Sequence, residues 1–164
     1  MNTSHCKQIT TILILLMAVS NPAVAGCFDG RGPGMDWSGC KKTNKLLGDS
    51  NFTGSRFDDA ILAMSSLDDS NFQGASLVKA DMTRASAQRS RFVEADLSKA
   101  VGYRAVFDQA LLQKSNLTKS EFFRASFRAA EIIDSDWSKS ELGRVDFTSA
   151  QLKNVSFEFT NLSR

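Results

Sequence analysis

Four lysines, Lys79, Lys99, Lys119 and Lys139, stand twenty residues apart, and four arginines, Arg84, Arg104, Arg124 and Arg144, repeat that interval five positions later. Cations at a fixed repeat suit one chemistry, the capture of a regular array of anions by charges acting together. Between the two series run Asp81, Val101, Glu121 and Glu141, then Thr83, Tyr103, Phe123 and Gly143, so an aromatic pair, Tyr103 and Phe123, lies among the cations. Bond-making chemistry finds little support. The one histidine is His5, which leaves the rest of the chain without Ser-His or Cys-His pairs and without histidine metal sites. The string "FDGRGPG" lacks the Lys-Ser or Lys-Thr that would follow in a phosphate loop. Asp81, Asp96, Glu121, Asp136, Glu141 and Asp146 each precede a large apolar residue. Two of them are able in principle to share acid–base work, but recurrence at one place in a repeat reads as structure. No catalytic residue, cofactor or metal site is assigned.

The elements that position these residues follow a period of five. Every fifth residue from Leu47 to Leu162 is Leu, Phe, Met, Ile or Trp, except Ala87 and Gly102, and no insertion breaks the register. Two places before each lies Ala or Ser, except at Lys45, Val145, Val155 and Thr160. A strand repeats every two residues and a helix every 3.6, so neither explains this pattern. A chain that turns once per five residues does, with one large and one small side chain inward and three outward. The units "ASLVK", "ADLSK", "SNLTK", "ADMTR" and "SNFQG" resemble the pentapeptide-repeat family, whose units read A-(D/N)-L-x-x. The resemblance covers roughly Trp37 to Arg164. It implies an all-β fold, a right-handed quadrilateral parallel β-helix with four units per coil and about six coils. On that fold residues twenty apart are stacked neighbours, and the lysines and arginines become two ladders flanking one side, with Arg164 as a further rung. Gly102 then falls between Met82 and Phe122, so a large neighbour is expected to fill its gap.

The start of the chain reads differently. Lys7, an apolar run from about Ile9 to Val19 and the site Ala23-Val24-Ala25 form a secretory signal with A-x-A cleavage. The run is short for a membrane span. Residues 1–25 are expected to be the signal, 26–46 an N-terminal cap and irregular first coil, and 47–164 the regular repeats. Cys27 and Cys40 would remain, and a pair in an exported protein suggests a disulfide. "VAGC" at Val24–Cys27 also reads as a lipoprotein box, which would leave Cys40 unpaired.

These features point to an exported, periplasmic or extracellular, non-enzymatic rod that serves as a scaffold or binding surface. Anionic polysaccharide, lipopolysaccharide phosphates or an acidic protein are the candidate partners, and nucleic acid is disfavoured. Some members of the family that the units resemble mimic duplex DNA and bind DNA gyrase, an alternative that requires a strongly acidic rod. The net charge here is +2, and loss of Lys7 lowers it by one. A secreted effector is a further alternative. The repeats run in register to the last residue, where an open sheet edge and Phe159 at an outward position suggest a tail-to-tail homodimer.

Overall fold

The computed structural model describes Gly26, Cys27 and residues 30–163. The signal segment 1–25 and the Arg164 rung lie outside the described residues. Parallel bridges join each residue to the one twenty places on, beginning with Asp36↔Arg56 and continuing every fifth residue to Glu141↔Asn161. Among the described residues two runs are long enough to be strands, β1 (Glu131–Ile133) and β2 (Gln151–Lys153), and they pair in the same register, Glu131↔Gln151. The chain is thus a parallel β-helix with twenty residues per coil and four columns of bridges. Strands stay this short because each side is one unit long and ends in a turn.

One unit shows how the backbone is satisfied. Leu77 N donates to Asp96 O at 2.7 Å, Lys79 N to Ser98 O at 3.0 Å, and Asp96 N to Ala75 O at 2.9 Å, all between coils. Within the unit, Ala80 N donates to Leu77 O at 3.0 Å and closes a turn. The third residue of that turn, Lys79, has φ 59°. A positive φ there and not before it fits a type II turn. The same place holds Gly34, Gly39, Gly54 and Gly74 at φ 63–68° and Asn44 and Asp49 at 56° and 54°. Glycine, asparagine and aspartate accept this conformation most readily.

The Asp or Asn in each unit has a local task. Oδ1 of Asp36, Asn51, Asn71, Asp81, Asp96, Asn116, Asp136, Asp146 and Asn161 accepts the N–H two residues on. This is the Asx-turn bond, and it explains the aspartates, though not the glutamates, that precede the large residues. Hydrogen bonds from Ser38 hold the Asp36 carboxyl below the usual range, and those from Thr148 do the same for Asp146.

The large and small series form a single core, with the positions from Leu47 to Leu142 buried in the large series and Ser50 to Ser140 buried in the small one. Phe72 and Phe92 stack at 4.8 Å between centroids, and Phe107 and Phe127 at 4.9 Å, close to the ~4.8 Å between strands. A Cβ on Gly102 would lie 2.1 Å from Phe122 Cε1, so the Phe122 ring occupies the gap as expected. At the top, a Cys27–Cys40 disulfide ties the cap to the core, in which Cys40 is fully buried. Lys42, which stands in the large register, lays its Nζ 3.6 Å from the Trp37 ring centroid and donates to Cys27 O at 2.5 Å. Its stem and charge thus cover an aromatic that would otherwise face solvent. At the far end Leu152 and Leu162 are half exposed and Phe159 is 78% exposed.

Candidate anion-binding face

All eight ladder residues are exposed, and all eight occupy the left-handed corner, with φ between 56° and 63°. Their backbones are clamped between coils, as in Arg84 N to Tyr103 O at 2.9 Å and Lys119 N to Ser138 O at 3.0 Å. The fold therefore sets the roots of both ladders and leaves the charged ends exposed. Lys79 has a carboxylate nearby, Asp59 at 3.8 Å. Among the described residues none of the other seven has a carboxylate oxygen within 4.0 Å. Two of the three acids on the face are engaged elsewhere. Asp81 Oδ1 accepts from Thr83 N at 2.9 Å and Glu141 Oε2 from Asn161 Nδ2 at 2.7 Å.

The aromatic pair stands between the ladders. Tyr103 and Phe123 are nearly parallel, 8° between planes and 5.8 Å between centroids. Phe123 also lies against Gly143, where an added Cβ would sit 2.7 Å from its Cδ2. With Tyr103 on one side and Gly143 on the other, the ring offers solvent its edge. The Arg104 guanidinium carbon is 5.3 Å from the Tyr103 centroid and that of Arg124 is 5.5 Å from Phe123. These cation–π contacts keep two arginines extended beside the rings without neutralising them. One coil above Arg84, the same face carries Ile61 and Met64, 37% and 49% exposed.

The sequence placed the ladders and the ring pair, and the structure brings them onto one face in the order expected. Two features escaped sequence reasoning: the left-handed backbone under every ladder residue and the arginine–ring contacts. The first had a signal, since Gly34, Gly39, Gly54 and Gly74 share the ladder's place in the unit.

Coils bonded only to their neighbours define a solenoid, one structural unit repeated along an axis. The family model for pentapeptide repeats matches in eight copies over residues 65–101 and 125–164. The chain belongs to the pentapeptide-repeat family, whose fold is a right-handed β-helix. A solved structure with the same fold is HetL, described as a pentapeptide repeat protein involved in heterocyst differentiation regulation, from the cyanobacterium Nostoc sp. strain PCC 7120. It is 20% identical, with a TM-score of 0.51 over 77% of this chain and 68% of HetL. Rfr23 from the cyanobacterium Cyanothece 51142 is 20% identical, with a TM-score of 0.44 over 62% of this chain and 63% of that one. QnrB1, described as a plasmid-mediated fluoroquinolone resistance protein, is 16% identical, with a TM-score of 0.41 over 81% of each chain. No curated protein matches the chain.

Proposed function

We propose that this protein is an exported, non-enzymatic rod, four-sided and about six coils long, whose lysine–arginine face binds an extended anionic partner. The observation that carries the reading is the set of seven exposed ladder cations with no carboxylate within 4.0 Å among the described residues, arrayed about an exposed aromatic edge. Neighbouring rungs are about 4.8 Å apart. Like charges at that spacing repel, weakly in water, and a ligand anion relieves the repulsion. Such a face works by many weak contacts together, as polyanion binding requires.

The test replaces Arg84, Arg104, Arg124 and Arg144 together by Gln. All four point outward, so the thermal melt should stay close to that of the wild type. Binding to an anionic envelope polysaccharide or to lipopolysaccharide should fall, and wild-type binding should weaken as salt rises. A wild-type rod that binds neither at low salt would sink the reading.

A further inference from the structure

Beneath the cap, three large apolar side chains of the first two coils stand exposed: Leu46 at 79%, Met64 at 49% and Ile61 at 37%. They gather around one corner of the rod. Ile61, bridged to Lys41 above it, comes just before the turn, and Met64 sits on the turn with φ 57°. Leu46 comes just past the same turn, one coil higher, bridged to Ser66. Among the described positive-φ corners, Met64 and Phe159 carry a large apolar side chain, and the others hold charged, polar or small residues. Leu46 heads a column that continues as Ser66, Ser86, Val106, Ser126 and Asp146, none of them as large. Exposure on this scale adds nothing to the core, and apolar groups collected at one place mark a contact site.

Cations border the corner. Lys41 stands above Ile61, Lys45 precedes Leu46, and Arg31 of the cap donates to the Leu46 carbonyl. Among the described residues none of the three has a carboxylate oxygen within 4.0 Å. The nearby acids are engaged: Asp68 Oδ1 accepts from Ser86 Oγ at 2.6 Å and Gln88 N at 2.8 Å, and Asp81 Oδ1 from Thr83 N at 2.9 Å. A hollow of about 570 Å³ adjoins them, lined by Cys27, Lys41, Lys42 and Lys45. Lys42 and Lys45 stand at core-facing places of the first coil, and inward charges of that kind blunt an open sheet edge. Edge protection uses the charges alone and gives no reason for Leu46, Ile61 and Met64 to be exposed beside them.

Shape and charge narrow the occupant. A corner of the rod is convex, so a folded partner would have to supply a matching hollow, whereas a lipid surface yields around a protruding side chain. A second copy of this corner would bring the same cations and be repelled. Exposed apolar side chains ringed by lysine and arginine are what an anionic lipid surface takes up, with the apolar groups at the acyl boundary and the cations among the headgroups. We infer that the cap end of the rod is a membrane-contact site for anionic phospholipid. Leu46, Met64 and Ile61 enter between the headgroups, and Arg31, Lys41 and Lys45 meet the phosphates. The two ladders then run away from the surface, and the contact does not depend on what they bind.

Core, cap and disulfide all lie within the chain from Gly26, which is the form to test, oxidised, by co-sedimentation with vesicles. Vesicles of phosphatidylglycerol and phosphatidylcholine in equal parts should bind it, and pure phosphatidylcholine should not. Each cation near an anionic surface is worth about fivefold in affinity, so Lys41→Gln with Lys45→Gln should weaken binding by about 25-fold. Leu46→Ser with Met64→Ser should weaken it by about tenfold or more, and the thermal melts of both variants should stay close to that of the wild type. Replacing Arg104, Arg124 and Arg144 by Gln should have a smaller effect than the lysine pair. Leu46→Trp should show a blue-shifted emission on binding, since Trp37 and Trp137 are buried and Trp at this place would move from water to lipid. No binding to the anionic vesicles at low salt overturns the proposal. So does binding lost in the arginine variant but kept in the lysine pair, or binding without a shift in the Leu46→Trp emission. Self-association without lipid that Leu46→Ser with Met64→Ser abolishes would make the corner a contact between copies and overturn it as well. None of these outcomes bears on polysaccharide binding by the ladders.

Discussion

Replacing Lys99, Lys119 and Lys139 together by glycine should make the rod more stable and less able to bind anions. The three residues have φ 60°, 60° and 63°. An L-residue with a Cβ loses roughly 1–2 kcal/mol in that region. Glycine removes the penalty but adds about 0.5–1 kcal/mol of chain entropy to the unfolded state. The balance is about 0.7 kcal/mol per site, or ~2 kcal/mol for three, before any relief of like-charge repulsion. For a chain of this size that is a rise in Tm of about 4–8 °C. The matched control is glycine at the preceding turn residues Ser98, Thr118 and Ser138, where φ is not positive. There the entropy term acts, joined at Ser138 by loss of the Oγ hydrogen bond shared with Ser156, and the rod should lose at least ~2 kcal/mol over three sites. Urea melts of the two triple variants decide the matter. If both move stability in the same direction, the corners are not strained and the reasoning fails. If the lysine variant is stabilised yet binds polysaccharide as the wild type does, the ladder is not functional, because a stabilising change is expected to cost function only where the residue serves it.

Gly102→Ala should cost about 1–3 kcal/mol by overpacking, since its Cβ would meet Phe122 at 2.1 Å, and Phe122→Leu should recover part of that in a double-mutant cycle. Intact mass of the protein from an envelope fraction should correspond to a chain beginning at Gly26 and two hydrogens lighter than its reduced form. A lipid-sized addition on Cys27 would overturn both expectations. Light scattering should give a dimer for a chain ending at Arg164, and Phe159→Ser should return it to monomer. A monomer at tens of micromolar refutes the association. Acid should destabilise the rod as pH falls through the lowered native pKa values of Asp36, Asp69 and Asp146, because the hydrogen bonds these carboxyls accept from Ser38, Arg89 and Thr148 are stronger when they are charged. Chemical denaturation across the acid range reads the effect, and an unchanged midpoint would refute it.

The inside of this molecule was legible because a five-residue period leaves little choice. Leu67, Phe72 and Leu77 have to face one way and Lys79 the other, and the burial of each follows. The vacancy at Gly102 was legible for the same reason, once residues twenty apart were stacked. The face was legible in position but not in state. Whether Asp81 and Glu141 neutralise the ladders depends on which nearby donor each carboxylate finds. Thr83 and Asn161 win that competition, and residue spacing does not rank the donors. Lys42 is a charged residue at a place where the five-residue pattern puts a large apolar one. It keeps the register by bending its ammonium over Trp37, a contact that depends on side-chain path. The left-handed corners were obscured by their occupants, since lysine and arginine are not residues that advertise positive φ.

The bridge register between residues twenty apart sets the step in which such a rod is able to lengthen over evolutionary time. Gain or loss of one whole coil leaves every lysine under a lysine and every arginine under an arginine, and changes only the number of rungs. Loss of one unit of five turns everything downstream by one corner. Deleting residues 105–109, for example, would bring Arg124 beneath Lys99 and Lys119 beneath Glu94. The core would tolerate this, because every unit uses the same large and small residues, but the face would be cut in two. Folding alone would accept changes of five residues, and the ladders accept only changes of twenty.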